Sequence, residues 1–263
     1  MYTQILSGKG RRRIVAASLL LALGGPVLAQ ADPSSRPVLV AAAANMQSAL
    51  TELVPLFERA QNARITLTLG SSATLVRQIQ QGLPAELFLS ADEDFVFRLA
   101  DAGLTPDRGA VYATGRLVLL VPVNSRLALD PGLNGLKAGL SDVRKFAIAN
   151  PELAPYGKAA VQALQKQAIW PELQGRLVLG DSIAQTTQFV STGAAEAGIT
   201  ALSLALAPEV AARTRYVLIS DALHTPIRQR MVLTKNAGAG ARAFYDFLQS
   251  PAAIAVLLRY GFR

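Results

Sequence analysis

The sequence predicts an α/β protein in which two doubly wound sheets form two lobes with a cleft between them. After Pro37, short apolar runs alternate with segments of helical periodicity, and the apolar runs lack the in–out alternation of half-exposed strands. Small polar turns separate several of these runs from the helix that follows. Alternating strands and helices favour parallel sheets, with ligands bound beyond the carboxyl ends of the strands.

The first lobe is predicted to contain three strand–helix units. Residues such as Met46, Leu50 and Phe57 recur at helical spacing after the first apolar run. The predicted strands cover residues 38–42, 65–69 and 86–89. The predicted helices cover 46–61, 74–81 and a third segment that Ser90 caps and that ends near residue 103.

The second lobe is predicted to repeat this pattern. The long apolar run at 116–122 is interpreted as the first crossing into it. Its predicted strands are 146–149, 176–179 and 198–200, with helices at 157–168 and 183–192. Residues 231–233 then return to the first lobe, and a helical stretch at 238–259 closes the chain. These units place lobe I at residues 32–118 plus 230–263 and lobe II at 119–229.

Residues 1–31 are interpreted as a secretory signal peptide. Four cations, Lys9 and Arg11 to Arg13, precede an apolar segment at 14–28, and cleavage is expected near Ala29 or Ala31. The apolar run is short for a membrane span, although an N-terminal anchor is the alternative. The arginines only partly fit a twin-arginine signal, which favours the general export route. We therefore expect a soluble protein of the periplasm.

Composition limits the partners of the mature chain. Removing the predicted signal lowers the formal net charge from +8 to +4, and the remaining cations are scattered rather than clustered with aromatic residues. This distribution argues against nucleic-acid binding. The chain has no cysteine and one histidine, His224. We therefore expect no lipid anchor on cysteine, no disulfide, no resident metal and no cofactor.

Four small polar turns lie between a predicted strand and a predicted helix. A helix N-terminus carries unpaired N–H groups and a positive partial charge, so it suits an anion. Four such ends without a lysine or arginine would form a neutral cage for a dehydrated oxyanion. The turns are Ala44-Asn45, Gly70-Ser71-Ser72, Ala154-Pro155-Tyr156-Gly157 and Asp181-Ser182-Ile183.

Ordered stretches along the mature chain carry a family resemblance. They are Ala41-Ala42-Ala43-Ala44-Asn45, Gly70-Ser71-Ser72-Ala73-Thr74-Leu75, Pro84-Ala85-Glu86-Leu87-Phe88-Leu89-Ser90-Ala91-Asp92, Asn150-Pro151-Glu152-Leu153-Ala154-Pro155-Tyr156-Gly157, Phe244-Tyr245-Asp246-Phe247-Leu248 and Arg259-Tyr260-Gly261-Phe262. In these stretches and in their order along the chain, the sequence resembles the periplasmic molybdate-binding proteins of bacterial ABC transporters. The resemblance implies a type II periplasmic-binding-protein fold that closes on molybdate or tungstate. It also implies a monomer that delivers the anion to a membrane permease.

The resemblance also implies a set of ligand-binding residues. Ser72 is expected to donate its hydroxyl and N–H, Ile183 its N–H, and Tyr156 its N–H or phenol. One branch of the family has a serine where this chain has Ala44 and a tyrosine where it has Ala201. Another branch uses an asparagine at the position of Asn45. The predicted site residues are Ala44, Asn45, Ser71, Ser72, Tyr156 and Ile183.

Each candidate also has a purely structural interpretation. Serine and asparagine are common helix N-caps, so Ser71, Ser72 and Asn45 would fit that role as well. The run Asp92-Glu93-Asp94 suits the first turn of a helix, whose dipole it complements, better than a cation site.

Three alternative functions stay open at this point. The same fold binds other small anions, such as sulfate, phosphate or an organic acid. A periplasmic serine hydrolase would need Ser72 and His224, although the sequence has no Gly-x-Ser-x-Gly elbow. The effector domain of a transcription regulator shares the fold, but a signal peptide argues against it.

Overall fold

The computed structural model describes residues 36–61 and 63–263. The predicted signal peptide at 1–31 lies outside the described residues. Within them, ten strands are present: β1 (Val38–Ala43), β2 (Ile65–Gly70), β3 (Leu87–Leu89), β4 (Ala110–Gly115), β5 (Leu117–Pro122), β6 (Phe146–Ala149), β7 (Leu177–Gly180), β8 (Ala197–Ala201), β9 (Thr214–Leu218) and β10 (Ile227–Leu233).

Eleven α-helices connect these strands in the same part of the chain. They are α1 (Gln47–Ala60), α2 (Ser72–Gln80), α3 (Asp94–Asp101), α4 (Asn134–Ala138), α5 (Pro155–Lys166), α6 (Trp170–Leu173), α7 (Ile183–Ser191), α8 (Leu202–Ala205), α9 (Pro208–Ala211), α10 (Ala239–Leu248) and α11 (Pro251–Arg259). Short 3₁₀ turns include Ala44–Met46, directly after β1. In the described ranges, no helix has both the length and the apolar character required to cross a membrane.

The strands form two sheets of equivalent topology. The first has the order β2-β1-β3-β10-β4 and the second β7-β6-β8-β5-β9. In each sheet the first three strands of this order are parallel. The fourth strand, β10 or β5, runs antiparallel to both of its neighbours. The predicted α/β class with two sheets is confirmed. Both sheets are mixed, because β5 and β10, which follow the two crossings between the sheets, run opposite to the strands beside them.

The chain passes between the sheets twice. β4 ends at Gly115 in the first sheet, and β5 begins at Leu117 in the second. The return lies between the end of β9 and the start of β10. The predicted lobe boundaries at 118–119 and 229–230 lie close to these passages. The described residues form one compact unit by their contacts, so the division into two lobes stays a prediction.

Aliphatic side chains fill the cores on the faces of both sheets. Central strands such as β5 are buried over almost their whole length, which fits apolar runs covered on both faces by helices. Three aromatic rings of one core, Phe57, Phe244 and Phe247, join α1 to α10, with ring centroids 4.9 to 6.1 Å apart. The polar turns lie at the carboxyl ends of β1, β2, β6 and β7.

Two local predictions were wrong. The closing stretch 238–259 is two helices, because Pro251 cannot continue α10 and Ser250 caps α11 by accepting from Ala253 N–H at 3.2 Å. Ser90 does not cap α3 directly. Its hydroxyl donates to Asp92 Oδ1, and that carboxylate accepts from Phe95 N–H at 3.1 Å.

Candidate functional site

The four polar turns meet at one small cavity. Two of them follow β1 and β2 of the first sheet, and two follow β6 and β7 of the second. The cavity has a free volume of about 10 Å³, roughly the space of one water molecule. All six predicted site residues line it: Ala44, Asn45, Ser71, Ser72, Tyr156 and Ile183. The fold therefore gathers residues from both sheets around one small cavity.

Ser71 and Ser72 have different partners. The Ser71 hydroxyl donates to Thr74 Oγ1 at 2.8 Å and accepts from Thr74 N–H at 3.4 Å, so it caps α2. Ser72 Oγ accepts from Ala91 N–H at 3.0 Å. Among the described hydrogen bonds, none uses the Ser72 hydroxyl proton as donor. The capping interpretation thus applies to Ser71, while Ser72 keeps a donor for a ligand.

Three backbone N–H groups face the same region from helix starts. Ser72 and Ile183 are the first residues of α2 and α7, and Tyr156 is the second of α5, after a proline that has no N–H. The first N–H groups of a helix have no partner within it. In the described ranges, none of these three donates to another backbone or side-chain group. The cavity therefore lies at three positive helix ends.

Asn45 is not a helix cap. Neither the 3₁₀ turn nor α1 has a side-chain capping bond. The Asn45 Nδ2 group donates to Gln229 Oε1 at 2.9 Å and lies 3.5 Å from Tyr156 Oη, while its backbone oxygen accepts from Ser203 at 2.7 Å. Its side chain is completely buried. The amide is thus held at the cavity by contacts across the molecule.

Two polar residues at this site were not predicted. Gln229 donates to Tyr156 Oη at 3.0 Å, and Tyr112 donates to Gln229 Oε1 at 2.8 Å. Gln229 occupies a buried position of β10, which alternates buried and more exposed residues from Ile227 to Met231. A glutamine on the inward face of an alternating strand is a sequence signal for a buried polar contact.

The electrostatics of the cavity come from dipoles and not from charged side chains. Among the described residues that line it, none is charged. Burial raises the pKa of the Tyr156 hydroxyl, although hydrogen bonds from Gln229 and Asn45 partly oppose this. Burial also raises the pKa of Tyr112. Both phenols therefore keep their protons at neutral pH.

Ala201, which replaces a tyrosine found in one branch of the resembled family, is the buried last residue of β8 and does not line the cavity. His224 lies elsewhere as well, with Nδ1 2.8 Å from the Thr225 oxygen. In the described ranges no hydrogen bond joins His224 to Ser72, as a nucleophile and its base would require. The arrangement offers donors to an anion and no nucleophile–base pair.

The acidic run Asp92-Glu93-Asp94 interacts with α3 and with arginines of β10. Asp94 occupies the first turn of α3. Glu93 forms ion pairs with Arg228 at 2.7 Å and Arg230 at 2.6 Å. The described residues contain no group of three or more metal-binding side chains.

Replacing Asp92 by asparagine is expected to stabilise the protein at neutral pH. Burial, the largest cause, raises the pKa of Asp92 to about 6, so the folded state favours the neutral carboxyl. The unfolded chain releases this proton at lower pH, and stability therefore falls as pH rises from about 4 to about 6. Asparagine keeps the acceptor for Phe95 N–H and removes this cost, a gain of up to about 3 kcal/mol above pH 6.

Urea unfolding of both proteins at about pH 4 and about pH 7.5 measures this gain. The Asp92→Asn advantage should be present at the higher pH and small at the lower one. An equal difference at both pH values would contradict the assignment to Asp92.

Comparison with known proteins places the chain in a family. Residues 38–263 match the sequence profile described as bacterial extracellular solute-binding protein. The molybdate-binding protein ModA of Rhodobacter capsulatus is 33% identical over 95% of this chain and 96% of that protein. The molybdate-binding protein ModA of Azotobacter vinelandii is 34% identical over 93% and 96%.

A solved structure agrees with this placement. The periplasmic molybdate-binding protein of Azotobacter vinelandii superposes with a TM-score of 0.78 at 29% identity, covering 86% of this chain and 98% of that one. The profile match and the relatives above 30% identity both extend over most of the chain. This protein therefore belongs to the bacterial extracellular solute-binding proteins.

Proposed function

We propose that this protein captures molybdate or tungstate in the cavity and delivers it, as a monomer in the periplasm, to the membrane permease of an ABC transporter. The observation that carries the proposal is the convergence of uncharged donors from both sheets on one small cavity with buried walls. Relatives named as molybdate-binding proteins support the choice of anion. The binding requires no resident cofactor and no chemical step.

The donors replace the water that the anion loses. The N–H groups of Ser72, Tyr156 and Ile183 and the Ser72 hydroxyl are the first candidates, with the Asn45 amide beside them. Hydrogen bonds to a charged acceptor are short and are worth about 1.5–3 kcal/mol each. Helix ends spread the compensating positive charge over several dipoles, so no lysine or arginine is needed.

Entry requires the walls of the cavity to part. Its free volume of about 10 Å³ is smaller than an anion with four oxygens, and the cavity residues are almost completely buried. We infer that lobe I (32–118 plus 230–263) and lobe II (119–229) open about the two chain crossings, and that closure presents the surface the permease recognises.

Selectivity follows from the fixed positions of the donors. A smaller tetrahedral anion such as sulfate cannot reach all of them at once, and each buried donor left unpaired costs about 1–3 kcal/mol. Hydrogen phosphate carries a proton that requires an acceptor, and no carboxylate lines the cavity in the described part of the chain. Sulfate and phosphate are therefore expected to bind more weakly.

Calorimetric titration of the mature protein with molybdate, tungstate, sulfate and phosphate tests the proposal. We expect one-to-one binding of molybdate and tungstate, with sulfate and phosphate at least about 30-fold weaker if two donors are left unpaired. Equal affinity for sulfate would remove the predicted selectivity. Absence of heat with all four anions, confirmed by an unchanged thermal midpoint, would overturn the function.

A further inference from the structure

The buried amide of Gln229 connects two cavity residues that lie far apart in sequence. Gln229 is completely buried; its Nε2 donates to Tyr156 Oη at 3.0 Å, and its Oε1 accepts from Asn45 Nδ2 at 2.9 Å. Asn45 Nδ2 also lies 3.5 Å from Tyr156 Oη. These three side chains form a closed ring of hydrogen bonds. The orientation of one amide therefore determines which donors the others can offer.

One end of the Asn45 amide is not used by this ring. Its Oδ1 is buried and has no hydrogen-bond partner among the described residues. Since Asn45 lines the cavity and its nitrogen faces Gln229 and Tyr156, Oδ1 is the end left for a ligand. An amide oxygen repels an oxyanion, whereas the amide nitrogen donates to it. Binding therefore requires the nitrogen in the place of Oδ1.

Gln229 can stabilise the turned amide. If the Asn45 and Gln229 amides both turn by about 180°, Gln229 Nε2 donates to Asn45 Oδ1 and its Oε1 accepts from the Tyr156 hydroxyl. The turned Nε2 then donates to Tyr112 Oη, which lies 2.8 Å from the present Oε1. The Tyr112 hydroxyl donates instead to the Ser90 oxygen, 3.3 Å away. The unpaired Oδ1 thereby gains a donor, and the Asn45 nitrogen faces the cavity.

We propose that Gln229 is a positioning residue that holds the Asn45 amide as a donor toward the bound oxyanion. This inference rests on the proposed function and concerns the same cavity. Gln229 is not among the residues that line the cavity, so it acts through the Asn45 amide and not by contact with the anion. Tyr112 supports the far side of the glutamine and fixes the plane of its amide.

A double-mutant cycle on molybdate binding tests this role. The mature protein, Gln229→Met, Asn45→Ala and the double variant are titrated with molybdate, and thermal midpoints confirm that each is folded. Gln229→Met is expected to weaken binding about tenfold in the parent, because the Asn45 amide is no longer held. In the Asn45→Ala background the same change should weaken binding by less than about twofold.

Gln162→Met is the matched control. Gln162 is a partly buried glutamine on α5 that accepts from Thr225 N–H and does not line the cavity, so its replacement should leave affinity unchanged. Equal losses from Gln229→Met in both backgrounds would overturn the positioning role, because a general packing defect adds independently of Asn45. Failure of the parent itself to bind molybdate would instead overturn the proposed function, on which the inference rests.

Discussion

Gly115→Ala is expected to weaken molybdate binding by about 100-fold or more, which is the loss that a misplacement of about 1 Å produces in a preorganised site. A β-carbon at position 115 would lie 2.7 Å from Gln229 Nε2 and 2.8 Å from Tyr156 Cζ, and still closer to the Tyr156 hydroxyl. Both neighbours are almost completely buried and cannot simply rotate into solvent. Tyr156, which lines the cavity, must therefore shift from its present position.

The same substitution is expected to lower stability by about 1–3 kcal/mol, because it overpacks a closed region. Calorimetry measures the loss of affinity, and thermal unfolding measures the loss of stability. Gly175→Ala is the matched control, since nothing lies within 4 Å of an added β-carbon there. Adding Tyr156→Phe to Gly115→Ala removes the closest atom and should recover part of the stability. Unchanged affinity in Gly115→Ala would show that the position of Tyr156 does not matter for binding.

The sequence was sufficient to predict the turns because their chemistry is local. A small polar residue between a buried strand and a helix usually caps that helix, shapes the turn or contacts a ligand, and parallel strands bring such turns to one sheet edge. Asn45, Ser72 and Ile183 line one cavity in the structure, where strands that end at the same sheet edge bring them together. Their roles in binding remain predictions until the titrations are made.

The two site residues that the sequence did not predict are brought together by pairing between distant strands. Gln229 and Tyr112 meet because β10 pairs with β4, and this antiparallel pairing joins residues more than 100 positions apart in the chain. β4 itself was not predicted, since periodicity does not reveal which distant strand a segment will join. The direction of β10 and β5 in their sheets was missed for the same reason.

The different roles of Ser71 and Ser72 could not be predicted from the local sequence. Serine is a common N-cap residue, so residue type and helix propensity do not distinguish Ser71 from Ser72. What separates them is Ala91, 19 residues after Ser72, whose N–H occupies the Ser72 oxygen and leaves its proton free. That contact exists only because β3 lies beside β1 in the sheet.

Ser72→Ala is expected to weaken molybdate binding by about 10-fold to 100-fold, whereas Ser71→Ala should change it less than about threefold. Ser72 loses a hydroxyl donor to a charged acceptor. Ser71 loses a capping bond to Thr74, which costs stability of about 1 kcal/mol and leaves the N–H groups of α2 in place. Calorimetry with molybdate compares the two variants directly.

Ser250→Ala is the control for capping, because Ser250 accepts from Ala253 N–H at the start of α11 and does not line the cavity. Ser71→Ala and Ser250→Ala should lower the thermal midpoint similarly, and Ser72→Ala should lower it further, since the buried Ala91 N–H loses its acceptor. If Ser71→Ala weakened binding as much as Ser72→Ala, the Ser71 hydroxyl would have to leave Thr74 and donate to the anion. The neutral cage would then contain two serine hydroxyls, and α2 would exchange its side-chain cap for the ligand itself.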